Sequence, residues 1–134
     1  VQVMLSSLGT GISGQIAREG AHYIIRVNRN ESRERQRFTI AHELAHYLLH
    51  RDIIDSSPDG ITDTVLYRSG TPEYVEYEAN RLAAEIVMPS KLVKEDLTNT
   101  YKNIVTDNTI EGLASRFGVS KAAMEIKLSQ YENV

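Results

Sequence analysis

The sequence of 134 residues contains no cysteine and no tryptophan, only three prolines, and no long apolar run. Without cysteine the chain can form neither disulfide bonds nor thiolate metal sites, a composition that fits a reducing compartment. No apolar segment approaches the roughly 20 residues that a membrane-spanning helix needs, and no signal peptide is visible. We therefore expect a cytoplasmic protein without a membrane segment.

The chain also lacks an excess of positive charge. Lysine and arginine total 15 against 18 aspartate and glutamate residues, a formal net charge of −3, whereas domains that bind nucleic acid usually present a basic face. Direct nucleic-acid binding is therefore not expected. The length predicts one globular domain over residues 1–134, and the start at Val1 instead of methionine suggests a piece of a longer protein.

Histidine is scarce but clustered, because three of the four histidines, His42, His46 and His50, lie within nine residues. The surrounding segment predicts a helix over about 31–50 with Asn30 as its N-cap. Its apolar stripe consists of Phe38, Ala41, Ala45, Leu48 and Leu49. At about 100° per residue, His42 and His46 lie about 40° apart, at the edge of that stripe.

His42, Glu43 and His46 form the pattern H-E-x-x-H. Histidines four residues apart on a helix can direct their ring nitrogens at one metal ion, and zinc usually takes four ligands. Glu43 points too far round the helix to join both histidines comfortably as a ligand, and is placed to act as a general base. The alternative interpretation is a chance match on a polar helix edge.

A third ligand is expected from a second helix, predicted over 71–87 from the helix-start signal Thr-Pro. Its carboxylates are Glu73, Glu76, Glu78 and Glu85. Glu76 borders the apolar face and is the predicted ligand, while Asn80, one turn further on, is placed to orient a ligating histidine through its other ring nitrogen. Glu73 and Glu78 are interpreted as part of a solvated acidic surface.

The remaining pattern predicts a small α+β protein. The expected strands are Val1–Leu5, a hairpin of Gln15–Arg18 and Ala21–Val27, and a β-prone run at Ile61–Tyr67. Further helices are expected to start at Ser90, Asn108 and Ser120. The last two helices, within residues 107–134, have the apolar and glycine pattern of a helix-turn-helix but almost no net charge, so we interpret them as a structural or substrate-docking pair.

Two segments together resemble the ImmA/IrrE family of metallopeptidases. They are R-F-T-I-A-H-E-L-A-H-Y-L-L-H (Arg37–His50) and E-Y-E-A-N-R-L-A-A-E-I-V-M-P (Glu76–Pro89). The resemblance covers nearly the whole chain and implies a zincin-like fold of the gluzincin type, with a small antiparallel or mixed sheet packed on the H-E-x-x-H helix and on the glutamate-bearing helix. It also implies that His42, His46 and Glu76 hold zinc and that Glu43 is the catalytic base.

The usual targets of that family are helix-turn-helix repressors of mobile elements or stress genes, so the resemblance implies a zinc-dependent endopeptidase with such a protein substrate. The alternative is a zinc-stabilised binding module that sequesters a repressor or toxin partner without cleaving it. Ala45 and Leu82 depart from the family pattern, where glycine and phenylalanine are common; both differences concern packing.

Two further roles stay open at the level of sequence. His50 fits a helix-terminal histidine stabilised by the helix dipole better than a substrate contact. The donor that would stabilise an oxyanion is not identified, since spacing does not choose among Tyr47, Tyr67, Tyr74 and Tyr77.

Overall fold

The computed structural model describes residues 1–64 and 71–132. The described chain is α+β, with four strands and six helices, which confirms the predicted class. It divides into two compact units, Val1–Ala83 and Ala84–Val134, and the single domain expected over 1–134 stays a prediction. None of the helices in the described part combines the length and apolar composition that crossing a membrane requires.

The first unit is built on a mixed sheet. Its strands are β1 (Gln2–Ser6), β2 (Ile12–Glu19), β3 (His22–Asn28) and β4 (Ile61–Thr64), in the order β1-β3-β2-β4. β1 runs parallel to β3, whereas β2 is antiparallel to both β3 and β4. The predicted hairpin is confirmed: Glu19 pairs with His22 across a two-residue turn in which Gly20 has φ of 64°. Tyr67, which the sequence placed at the end of the fourth strand, lies outside the described residues.

Three helices follow in this part of the chain, α1 (Arg33–Leu49), α2 (Arg51–Ser56) and α3 (Glu73–Val87). The predicted N-cap Asn30 is wrong, because Ser32 caps α1 by accepting a hydrogen bond from the Arg35 amide. The Asn30 amide instead donates to the side chain of Asn28, which keeps the chain in a turn. The sequence did not predict α2, which is too short to show a helical period.

The core of the first unit lies where α1 packs on β2 and β3. Its buried members are Ile16, Ile25, Val27, Ile54 and Ile61, against which Tyr23, Ile40, Leu44, Tyr47 and Ile53 pack. The predicted apolar stripe is wrong at its end, since Leu48 and Leu49 are 54% and 51% exposed. The helix is rotated so that His42, Glu43 and His46 are buried in addition to the alanines, and a polar site therefore occupies much of its inner face.

Gly14 permits the close approach of α1 to β2. A Cβ atom at this buried position would lie 2.5 Å from Thr39 Cγ2, 3.0 Å from the Arg26 carbonyl oxygen and 3.7 Å from Glu43 Cγ. Two of these neighbours belong to α1 and one to β3, so the missing side chain sets the distance between the helix and the sheet.

The second unit contains α4 (Ser90–Asn99), α5 (Asp107–Phe117) and α6 (Lys121–Glu132). Its buried apolar residues are Val87, Met88, Val93, Leu97, Leu113, Ala114, Val119, Met124 and Leu128. The predicted stop at Gly118 is confirmed by its φ of 66°, and so is the cap of α6, where Ser120 Oγ accepts from the Ala123 amide. Thr106, rather than Asn108, caps α5.

Ser90 does not cap α4, contrary to the sequence prediction, but takes part in a partly buried ion-pair cluster with Glu85 and Lys127. Its hydroxyl donates to Glu85, and the ammonium of Lys127, only 5% exposed, lies 2.9 Å from Glu85 Oε2 and 2.9 Å from Ser90 Oγ. Partial burial raises the pKa of Glu85, but the hydrogen bonds from Lys127 and Ser90 outweigh it and lower that pKa to about 2.

We predict that Gly14→Ala lowers the free energy of unfolding by about 1–3 kcal/mol, the usual cost of overpacking a filled interior. Chemical denaturation measures the change. Gly9→Ala is the matched control, because a Cβ there would meet only Ile12 Cδ1 at an ordinary 3.5 Å. Equal stability of the two variants would contradict the close approach of α1 to β2.

We also predict an acid-sensitive contribution from Glu85. A carboxyl group whose folded-state pKa is about 2, below its ordinary value of 4.5, stabilises the protein fully above about pH 4.5, and this stabilisation is lost as the pH falls toward 2. Glu85→Gln should therefore show a shallower loss of stability between pH 4.5 and 2 in denaturation curves. Glu95→Gln, which removes an exposed carboxylate of α4, should keep the wild-type slope; equal slopes for both variants would refute the assignment.

Candidate metal centre

Helices α1 and α3 bring three of the predicted site residues together. The Nε2 atoms of His42 and His46 are 3.1 Å apart, and the Glu76 carboxylate lies 3.0 Å from the first and 3.2 Å from the second. Both histidines are buried and Glu76 is half-buried. These side chains form a group that could hold a metal ion.

The spacing of the three atoms fits a small divalent cation. Ligand atoms placed tetrahedrally at about 2.0–2.1 Å from zinc are separated from each other by about 3.3 Å. The separations of 3.0 to 3.2 Å found here are close to that value. His42 and His46 are one helical turn apart on α1, so the helix itself holds the first two atoms.

The other nitrogen of His42 determines where its lone pair points. Nδ1 lies 2.8 Å from Asn80 Oδ1, and an amide oxygen can only accept, so Nδ1 carries the hydrogen. In the neutral ring the lone pair is then on Nε2, facing His46 and the Glu76 carboxylate. A positive charge between these groups is required to make the arrangement favourable.

His46 is oriented by a second pair of residues. Its Nδ1 lies 3.0 Å from Nδ1 of His50, and Nε2 of His50 lies 2.9 Å from Glu78 Oε1. His50 ends α1, as the sequence predicted, and Glu78 is half exposed as expected. The sequence did not predict that His50 is buried at the junction of α1 and α2 and joins Glu78 to a site residue. A third histidine at i+4 from His46, with an acidic residue on the neighbouring helix, was the available signal.

The pKa values of these three side chains show how burial competes with charge interactions inside the group. Burial lowers the pKa of His42, yet the Glu76 hydrogen bond and the negative charges of Asp63 and Glu76 outweigh it, so that pKa is raised overall. Burial also dominates at His46, whose pKa is lowered. At Glu76 burial raises the pKa, but contacts and charge interactions with the rings of His42 and His46, which are strongest when those rings are protonated, outweigh it and lower the pKa to about 2.

Glu43 lies beside this group in an unusual environment. Its side chain is fully buried, and within the described residues neither carboxylate oxygen has a hydrogen-bond partner. Burial, together with the negative charges of Asp63 and Glu76, raises the pKa of Glu43 well above its ordinary value. A buried carboxyl group without a partner destabilises the fold, so its position calls for a functional explanation.

Asp63 is a site residue that sequence reasoning missed. It stands in β4, and its carboxylate, an imidazole nitrogen of His42 and the Glu43 carboxylate lie within 4.8 Å of one another. Burial raises the pKa of Asp63 as well. A single aspartate in a short β-prone run carries no motif, and only strand pairing places it beside the helix.

The structure shows the surroundings of three of the four tyrosines considered as oxyanion donors. Tyr47 packs against the core, with Tyr23 at 5.0 Å edge-to-face and the Arg51 guanidinium 4.2 Å above its ring. Tyr74 and Tyr77 are both 65% exposed on α3. Tyr67 lies outside the described residues.

The chain is similar in sequence to a peptidase family and to two known metallopeptidases. Residues 1–129 match the family profile of the IrrE N-terminal-like domain, a peptidase family. The chain is 29% identical over 108 residues to the metallopeptidase ImmA of Bacillus subtilis, covering 81% of this chain and 56% of that protein. It is 31% identical over 128 residues to the radiation response metalloprotease IrrE of Deinococcus deserti, covering 84% of this chain and 40% of that protein. The chain thus spans about half the length of these curated relatives or less.

We predict that the protein binds one divalent metal ion at His42, His46 and Glu76. Metal at 100 times its dissociation constant should add about 2.7 kcal/mol to the free energy of unfolding, because it binds only the folded chain. Thermal unfolding with zinc and with a chelator measures the shift. Glu76→Ala should lose most of it, whereas Glu95→Ala should keep it; a wild-type protein insensitive to both additions would contradict the site.

Proposed function

This chain belongs to the IrrE N-terminal-like domain family of peptidases, the ImmA/IrrE family, and on that premise we propose that it is a zinc-dependent endopeptidase of zincin-like fold. We propose His42, His46 and Glu76 as the zinc ligands, Asn80 as the residue that orients His42, and Glu43 as the catalytic base. Two imidazole nitrogens and one carboxylate oxygen are a ligand set that zinc prefers, and three protein ligands leave a coordination position for chemistry.

Bound zinc would supply Lewis acidity, which polarises the scissile carbonyl group and acidifies a water molecule. The protein's own residues handle the proton. Glu43 takes it from the attacking water and later passes it to the leaving amine. Its fully buried setting supports this role, because burial and the neighbouring negative charges raise the pKa of its carboxyl group, and a raised pKa makes the carboxylate a stronger proton acceptor.

The observation that carries the proposal is the buried carboxylate of Glu43, which has no hydrogen-bond partner among the described residues and lies beside the candidate ligand group of His42, His46 and Glu76. A module that only binds zinc and a partner gains nothing from it and loses stability through it. A peptidase requires such a group next to the ion. This contrast favours cleavage over the zinc-stabilised binding module.

We propose a regulatory protein as the substrate, in particular a helix-turn-helix repressor of a mobile element or stress response. The family resemblance supports that class, and one relative is a radiation response metalloprotease, which agrees with a stress response. Within residues 1–64 and 71–132 β4 is the outermost strand on one side of the sheet, and its Asp63 lies beside Glu43, so we propose that an extended substrate segment approaches the site along this strand.

We predict that Glu43→Gln lowers the cleavage rate by about 10²–10⁴-fold, the usual contribution of a general base, while zinc content is retained. The substrate tested is the helix-turn-helix regulator encoded beside the gene, incubated with and without chelator and followed by gel electrophoresis and mass spectrometry. Glu34→Gln, an exposed glutamate in the first turn of the same helix, is the matched control and should cleave normally.

Two results would overturn the assignment. Cleavage by Glu43→Gln at the wild-type rate would remove Glu43 as the base. A regulator that stays intact with the zinc-loaded wild-type protein yet copurifies with it would establish the binding module instead.

A further inference from the structure

The contact between His46 and His50 continues to a carboxylate on the neighbouring helix. His46 Nδ1 meets His50 Nδ1 at 3.0 Å, and His50 Nε2 meets Glu78 Oε1 at 2.9 Å. His46 and His50 are buried, whereas the carboxylate of Glu78 is half exposed. The three side chains thus form a series of contacts that leads from the candidate ligand group to the protein surface.

The direction of these hydrogen bonds follows from their acceptor end. An ionised carboxylate can only accept, so Nε2 of His50 donates to Glu78. The neutral imidazole of His50 then has its lone pair on Nδ1, which accepts the Nδ1 hydrogen of His46. The remaining lone pair of His46 is consequently on Nε2, the atom that faces His42 and Glu76.

We propose that Glu78 and His50 are positioning residues that hold His46 in the tautomer able to ligate metal through Nε2, and thereby set the affinity of the site. This inference rests on the metal site proposed above and not on cleavage. The contacts of His46 correspond to those of His42, whose Nδ1 donates directly to Asn80. At His46 the same direction of hydrogen bonding results from an intermediate histidine, His50, and from the full negative charge of Glu78.

A different role for His50 is purely structural, since it ends α1 and precedes the first residue of α2. The two roles predict different responses to substitution. Packing alone requires a ring of similar volume, which phenylalanine supplies. Positioning of His46 requires an acceptor at the place of Nδ1, which the Oδ1 atom of asparagine supplies without the ring.

The test measures the zinc dissociation constant of the folded protein by competition with a chromophoric chelator. His50→Phe should weaken zinc binding about 10–100-fold, the usual effect of removing a partner that orients a metal-bound histidine. His50→Asn should bind several-fold more tightly than His50→Phe, although it fills less space. His22→Asn, an exposed histidine of β3, is the matched control and should bind as wild type does.

Glu78→Ala provides an independent arm, because its half-exposed side chain can be removed without opening the core. It should also weaken zinc binding, relative to the exposed-glutamate control Glu95→Ala. Equal affinities for Glu78→Ala and Glu95→Ala, or a His50→Phe variant at least as tight as His50→Asn, would overturn the proposal while leaving the metal site intact. A wild-type protein that binds no zinc would overturn the metal site itself.

Discussion

Three electron-pair donors, the Nε2 atoms of His42 and His46 and the carboxylate of Glu76, meet within 3.2 Å of one another in a largely buried part of the first unit. Without a positive charge between them such a group is unfavourable, because its lone pairs face each other away from water. Neighbouring side chains contact the outer ring nitrogens of both histidines. Asn80 holds the outer nitrogen of His42, and His50 meets that of His46.

Helix α1 loses apolar packing because it carries part of this group. Helix α1 turns polar side chains, Glu43 among them, toward the interior, while Leu48 and Leu49 are left exposed near its end. Gly14 compensates by letting the helix lie close on β2. Stability that an apolar helix face would have supplied is thus lost in favour of a buried carboxylate beside a candidate metal site, a common relation between function and stability.

Part of the site could be predicted from local sequence because its geometry is local. His42 and His46 are one turn apart on a helix, so the spacing alone predicts that their ring nitrogens converge. Glu76 and Asn80 were chosen by the same argument on a second helix, and the structure places both next to His42. Their roles as ligand and orienting residue remain proposals. The helical wheel placed both at the edge of the apolar face of α3, but their meeting with His42 depends on the packing of α3 beside α1.

The features that were missed depend on contacts between distant segments. Asp63 reaches the site only because β4 pairs with β2, and Glu78 meets His50 only because α3 lies beside the end of α1. The start of α1 was misplaced for a related reason. Asn30 and Ser32 are both good N-caps by type, and the choice fell to Ser32 because Asn28 holds the preceding turn.

By itself, the sequence determined the helical elements that carry His42, His46 and Glu76, the α+β class and the family, because periodicity and motif spacing are properties of short segments. Only the tertiary structure decided that Glu43 is wholly buried with no hydrogen-bond partner in the described part of the chain, that Asp63 stands beside it, and that His50 links His46 to Glu78. Burial and hydrogen-bond direction depend on which segments pack together, and that packing is a property of the whole unit.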